Sequence, residues 1–139
     1  MPVGNNGNRD REWHSRGYIP HWEAGEAPQA ICFRLVDSLP KTLVEQLLAD
    51  LSEWPEDKVS LEQRRRLESL LDSGHGDAYL TRQAIATLVE NTLLFFDLDR
   101  YRLHAWCIMP NHVHVLLTPL RERRLSTIVH SWKSFTAHR

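Results

Sequence analysis

His112 and His114 are the residues whose types and spacing most directly suggest chemistry. In the run Asn111-His112-Val113-His114-Val115-Leu116-Leu117, two imidazoles two positions apart on a β-strand project from one face. At roughly 3.3 Å per residue their Cα atoms stand about 6.6 Å apart, so both rings can reach one divalent cation and still leave coordination positions open. Two ligands hold a metal weakly, and a third has to come from elsewhere in the chain. Val113, Val115 and Leu117 point the other way, toward a core, so alternation separates site from packing.

Those two rings need a scaffold. Residues 101–109 read as a strand, Pro110-Asn111 as a turn dipeptide, and the histidines as the start of the return strand of a hairpin, 112–118. Residues 29–36 form an earlier strand, with Ala30, Cys32, Arg34 and Val36 on one face and Ile31, Phe33 and Leu35 on the other. Leu43, Val44, Leu47, Leu48 and Leu51 repeat at helical spacing between Pro40, suited to a first turn, and Pro55, which ends that helix. A second helix is expected over 61–71, with Leu61, Leu67, Leu70 and Leu71 apolar and Arg64-Arg65-Arg66 paired with Glu62 and Glu68 on the solvent side. After the flexible Gly74-His75-Gly76, Thr81 is expected to cap a helix striped by Ile85, Leu88, Val89, Thr92, Leu93 and Phe96. A last helix begins near Ser126, with Ile128, Val129, Trp132 and Phe135 on one side. Helices packed around a hairpin and a further strand imply an α+β sandwich with an antiparallel sheet.

A chain of 139 residues with 42% hydrophobic content suits one domain that needs no disulfide staples. Cys32 and Cys107 lie in apolar, strand-like runs without metal-ligand spacing, which favours two reduced, buried thiols. Residues 1–14 are expected to be a disordered leader and 15–139 the folded domain, with 18–22 an ordered lead-in. No signal peptide or membrane-spanning run is evident, so a cytoplasmic location is expected. The net charge of −1 hides a segregation: 37–77 carries ten acids against five bases, whereas 100–139 carries seven bases and Glu122 alone as acid. A basic C-terminal third around the histidine pair would attract a phosphate-rich partner. Arg121, Arg123, Arg124 and Lys133 are the phosphate-contact candidates, Asn111 is expected to hold the hairpin turn, His104 to sit on the strand surface and Trp132 to be core.

The full run Met109-Pro110-Asn111-His112-Val113-His114-Val115-Leu116 resembles the signature of single-tyrosine HUH transposases, named for histidine, hydrophobic residue, histidine. Arg16-Gly17-Tyr18-Ile19-Pro20-His21-Trp22, Phe33-Arg34-Leu35-Val36-Asp37-Ser38-Leu39-Pro40, Tyr101-Arg102-Leu103-His104-Ala105-Trp106 and Ser131-Trp132-Lys133-Ser134-Phe135-Thr136-Ala137 are similar to the REP-associated tyrosine transposase branch. The resemblance covers nearly all of the chain from Arg16. It implies a ferredoxin-like sheet, single-stranded hairpin-forming DNA as partner, a homodimer, and magnesium or manganese on His112 and His114 as the catalytic metal pair. Imidazole is a soft partner for magnesium, which favours manganese. It also implies a metal-assisted attack by a tyrosine hydroxyl on phosphorus, giving a phosphotyrosine intermediate.

The chain departs from this pattern in its tyrosines. The resemblance places the nucleophile on a helix well downstream of the histidines, whereas this sequence ends at Arg139 with Tyr18, Tyr79 and Tyr101 alone, none at the matching position. The expectation is a domain incomplete at its C-terminus, lacking the last strand and the tyrosine helix, that retains metal and DNA affinity without nicking. A histidine-triad nucleotide hydrolase needs a further alternating histidine where Leu116 stands. A non-cleaving hairpin-DNA-binding module is the other alternative.

Overall fold

The computed structural model describes residues 11–15, 20–24 and 26–137, the first two stretches by their backbone. In chain order the elements are β1 (Arg11–Ser15), β2 (Pro20–Ala24), β3 (Gln29–Arg34), α1 (Lys41–Leu51), α2 (Glu56–Asp72), α3 (Gln83–Phe95), β4 (Tyr101–Ile108), β5 (His112–Pro119) and α4 (Leu125–Ala137). β1 and β2 pair as an antiparallel ribbon with Trp13 opposite Trp22. Residues 11–14, expected in the disordered leader, belong to a strand instead, aromatic residues favouring extended, paired backbone. Residues 1–10, and part of the lead-in at 18–22, lie outside the described residues.

The second sheet has three strands in the order β3-β5-β4, both pairings antiparallel. β3 and β4 thus run parallel on either side of β5, and α1 to α3 make the crossover between them, a split β-α-β arrangement. The fold is α+β, as the sequence implies, and β3 and β4 form the edges of this sheet.

The two faces bury different clusters. Ile31, Val113, Val115 and Leu117 share one face and pack with Val89 and Leu93 of α3, Leu125, Ile128 and Trp132 of α4, and Tyr101. At its centre the Trp132 Nε1–H donates to the Tyr101 hydroxyl at 2.9 Å, and that hydroxyl donates to the Leu93 carbonyl at 2.6 Å. Trp132 is core, as expected. On the opposite face Cys32 packs against a second cluster of Leu39, Val44, Leu47, Leu51, Leu67 and Leu71, contributed mainly by α1 and α2.

Helix boundaries show where local signals were stronger than apolar periodicity. α2 starts five residues before the expected 61, because Pro55 occupies its N-cap and Glu56 and Asp57 place negative charge in the first turn. Leu61, expected on the apolar stripe, is 75% exposed. Thr81 does not cap α3: it closes a short turn over Tyr79–Thr81, and Arg82 is the cap residue. The arginine triplet is self-paired as expected, Glu62 accepting from Arg65 and Arg66 and Glu68 from Arg64. These guanidinium hydrogen bonds hold the Glu62 carboxyl down at about 2. A carboxylate lowered in the folded state stabilises above its unfolded pKa and loses that effect as the pH falls. The stability difference between wild type and Glu62→Gln is therefore expected to be full above pH 4.5 and to shrink toward about 2, as followed by urea unfolding at several pH values.

Candidate metal centre

β5 is paired on both sides, so its register fixes what surrounds the histidines. Cys32 of β3 and Cys107 of β4 both lie opposite His114, and Arg34 lies opposite His112. Directly opposed residues share a face. Cys32, His112 and His114 consequently converge on the face away from the α3–α4 core, with their candidate ligand atoms all within 4.8 Å of one another. The two Nε2 atoms are 3.1 Å apart, and the rings meet nearly edge to face at 82°. Ligands at about 2.0–2.1 Å from one tetrahedral ion are separated by about 3.3–3.4 Å, so the imidazoles already stand close to ligand spacing.

Asn111 sets the orientation of His112. Its side-chain amide donates to the carbonyls of Leu71 and His75, both at 3.1 Å, which leaves Oδ1 to accept from His112 Nδ1 at 2.7 Å. With the proton on Nδ1, the Nε2 lone pair of His112 faces the cluster. His114 Nε2, 3.1 Å away, is then the donor of the hydrogen bond between the two rings. Asn111 and His112 are each 1% exposed, so this is a buried, oriented pair. Asn111 therefore does more than shape the turn: it ties β5 to the end of α2 and to the following loop. That loop closes against Asp37, whose carboxylate accepts the Asp77 N–H at 2.8 Å. Gly76 is required there, since at φ +89° a Cβ would lie 2.6 Å from Asp37 Cγ.

The electrostatics suit neutral ligands. Burial, reinforced by His114, pushes the pKa of His112 down, favouring the uncharged ring a metal needs. Burial, with Glu68 acting in the same direction, pushes the Cys32 thiol up to about 11, so without a cation it is a protonated thiol and a poor nucleophile. Asp72, the last residue of α2, brings a carboxylate oxygen within 3.5 Å of His112 Nε2 from an exposed position. Two imidazoles and a thiol do not match magnesium, which seeks oxygen ligands in octahedral array; they match a borderline-soft divalent ion.

Cys32 is the residue that sequence reasoning set aside. It is half-buried beside the pair, and Cys107, also expected to be a buried thiol, is exposed, with its Sγ 3.6 Å from Met109 Sδ. The β4 side of the same sheet face is open: Arg102, His104, Ala105, Cys107 and Leu116 are exposed on it. His104 Nε2 lies 2.8 Å from Thr118 Oγ1 there. The expected phosphate contacts are not brought to the pair. Arg121, Arg123 and Arg124 lie between β5 and α4, where Arg121 approaches Asp99 at 3.7 Å, and Lys133 is on α4, which covers the other face. Among the described residues the Tyr101 hydroxyl is held in the core and the Tyr79 hydroxyl donates to Asp77, while Tyr18 lies outside them. No helix among the described residues is long and apolar enough to cross a membrane. No family model, curated protein or solved structure matches this chain, so its functional reading rests on the geometry of this centre.

Proposed function

We propose that this domain binds structured single-stranded DNA at a divalent-metal centre of the HUH transposase type, with His112 and His114 as the metal-holding pair. The observation that carries the reading is the pair itself: two Nε2 atoms 3.1 Å apart, one ring held by Asn111, at the margin of an open sheet face. The chemistry a divalent ion supplies at this position is charge neutralisation at a phosphodiester oxygen, which an anionic backbone needs before any nucleophile can approach. Arg102 and His104 on the same open face supply further donors for phosphate, and exposed Leu116 an apolar contact for bases. Arg121, Arg123 and Arg124 in the connection between β5 and α4, and Lys133 on α4, serve a strand that wraps the domain beyond the pair.

Strand cleavage needs a nucleophile in line with the scissile bond. Tyr101 and Tyr79 are both engaged elsewhere, which favours the second reading, in which these residues bind a hairpin without cutting it. Binding of a labelled single-stranded hairpin, measured with manganese or zinc supplied and after chelation, tests the proposal. Affinity is expected to need the metal, to fall roughly tenfold or more over a fourfold rise in salt, and to lose its metal-dependent part in His114→Ala. Equal binding with and without metal in both proteins would refute it. A metal-dependent covalent adduct, resolved on a denaturing gel, would replace the binding module with an active strand transferase.

A further inference from the structure

We propose that Cys32 completes the centre as a thiolate ligand, making it a Cys-His-His site that takes zinc, or another borderline-soft divalent ion, in preference to magnesium or manganese. The proposal deepens the reading above at its metal and rests on the same imidazole pair, yet it requires no DNA.

Three observations converge. The first is register: Cys32 stands directly opposite His114 because Ile31 and Phe33 pair with Val115 and Val113, all packed on the other face. A slip of one residue would turn those apolar side chains out of the core, so the position of the thiol is fixed by packing that has nothing to do with the site. The second is distance. The sulfur and both nitrogens fall within 4.8 Å of one another, and side-chain rotation has to draw the sulfur to about 3.5 Å from each nitrogen to surround an ion with Zn–S near 2.3 Å and Zn–N near 2.0–2.1 Å. The third is donor chemistry together with outer contacts. Thiolate and imidazole select zinc over the hard cations, and Asn111 already orients one imidazole as outer-sphere partners of zinc-bound histidines do.

Asp72 offers a fourth donor from the end of α2, its carboxylate reaching within 3.5 Å of His112 Nε2. Because that carboxylate is largely exposed, the fourth position stays exchangeable between Asp72, water and a phosphate oxygen, the property that separates catalytic zinc sites from closed structural ones. The proton balance is simple. On binding, Cys32 releases its thiol proton to solvent, and His114 shifts its remaining proton from Nε2 to Nδ1 so that both Nε2 lone pairs meet the ion. A dipositive ion bound by one thiolate and one carboxylate leaves the centre neutral.

Titration of the full chain with cobalt(II), a spectroscopic stand-in for zinc, tests this. Wild type is expected to develop a near-ultraviolet thiolate-to-cobalt charge-transfer band together with intense visible bands of tetrahedral cobalt. One equivalent of zinc should bleach both, and excess magnesium neither. Cys107→Ser keeps the charge-transfer band; Cys32→Ser loses it and binds cobalt at least about tenfold more weakly, the scale of losing even an outer-sphere partner. A measurement without variants backs this up: zinc is expected to protect Cys32, and not Cys107, from alkylation mapped by mass spectrometry. Cobalt bound without the charge-transfer band, but lost in His114→Ala, would overturn the role of Cys32 while leaving the imidazole pair and the DNA reading standing. Absence of any cobalt or zinc binding would overturn both.

Discussion

Asn111→Ala is expected to weaken divalent-metal binding by about 10- to 100-fold, although Asn111 reaches no metal itself. The cause is the Oδ1 atom that accepts from His112 Nδ1 at 2.7 Å and thereby fixes which nitrogen faces Cys32 and His114. Removing it frees the ring to turn and the tautomer to change. The same substitution leaves the Leu71 and His75 carbonyls without their donor, at about 1–3 kcal/mol for each group that stays buried and unsatisfied. Asn111→Asp separates the two roles. A carboxylate still accepts from Nδ1, so cobalt affinity should stay near wild type, whereas the two carbonyls lose their N–H partner and urea unfolding should show the stability loss alone. Equal losses of metal affinity in both variants would mean that the side chain acts through the fold and not through the ring.

Trp132→Ala is expected to cost about 3–5 kcal/mol of stability, a large share of what a domain of this size possesses. Trp132 is 2% exposed, meets the Tyr101 ring edge to face at 5.5 Å and Phe33 at 5.6 Å, and gives its N–H to the Tyr101 hydroxyl. Truncation removes the largest fully buried side chain and with it the contact that fastens α4 to β4 and β3. Trp132→Phe keeps most of the volume and removes the donor, so its loss should lie nearer about 1–2 kcal/mol. Urea unfolding monitored by far-ultraviolet circular dichroism checks both, with midpoints that shift at nearly constant slope. A change under 1 kcal/mol for Trp132→Ala would show that α4 contributes little to the core.

The parts of the molecule that were legible in the sequence are those in which one segment carries its own signal. The 112–118 strand alternates, so Val113, Val115 and Leu117 read correctly as core and His112 and His114 as a common face. Trp132 and the α4 stripe follow from helical periodicity in the same way. The thiol beside the pair was not legible, because which residue lies next to His114 depends on pairing between β3 and β5, segments far apart in the chain. Alternation within 29–36 did place Cys32 and Arg34 on one face; had that strand been docked against the hairpin, the thiol would have stood beside the imidazoles. The polar surroundings of the pair were hidden for a related reason. Arg121, Arg123, Arg124 and Lys133 cluster in sequence, whereas Arg102 and His104 share the open face only after β4 is laid alongside β5 with its bulge between Leu103 and Ala105. At α2 the missed signal was local: Pro55 followed by Glu56 and Asp57 marks a helix start more firmly than the first leucine does.

Among the described residues two apolar clusters stand on opposite faces of the sheet, and Cys32 packs with the smaller one on the face it shares with the two histidines. A bound ion would therefore cross-link β3 to β5 and, through Asp72, draw the end of α2 onto the same strands, so its departure would free that helix end while the α3–α4 side stays folded.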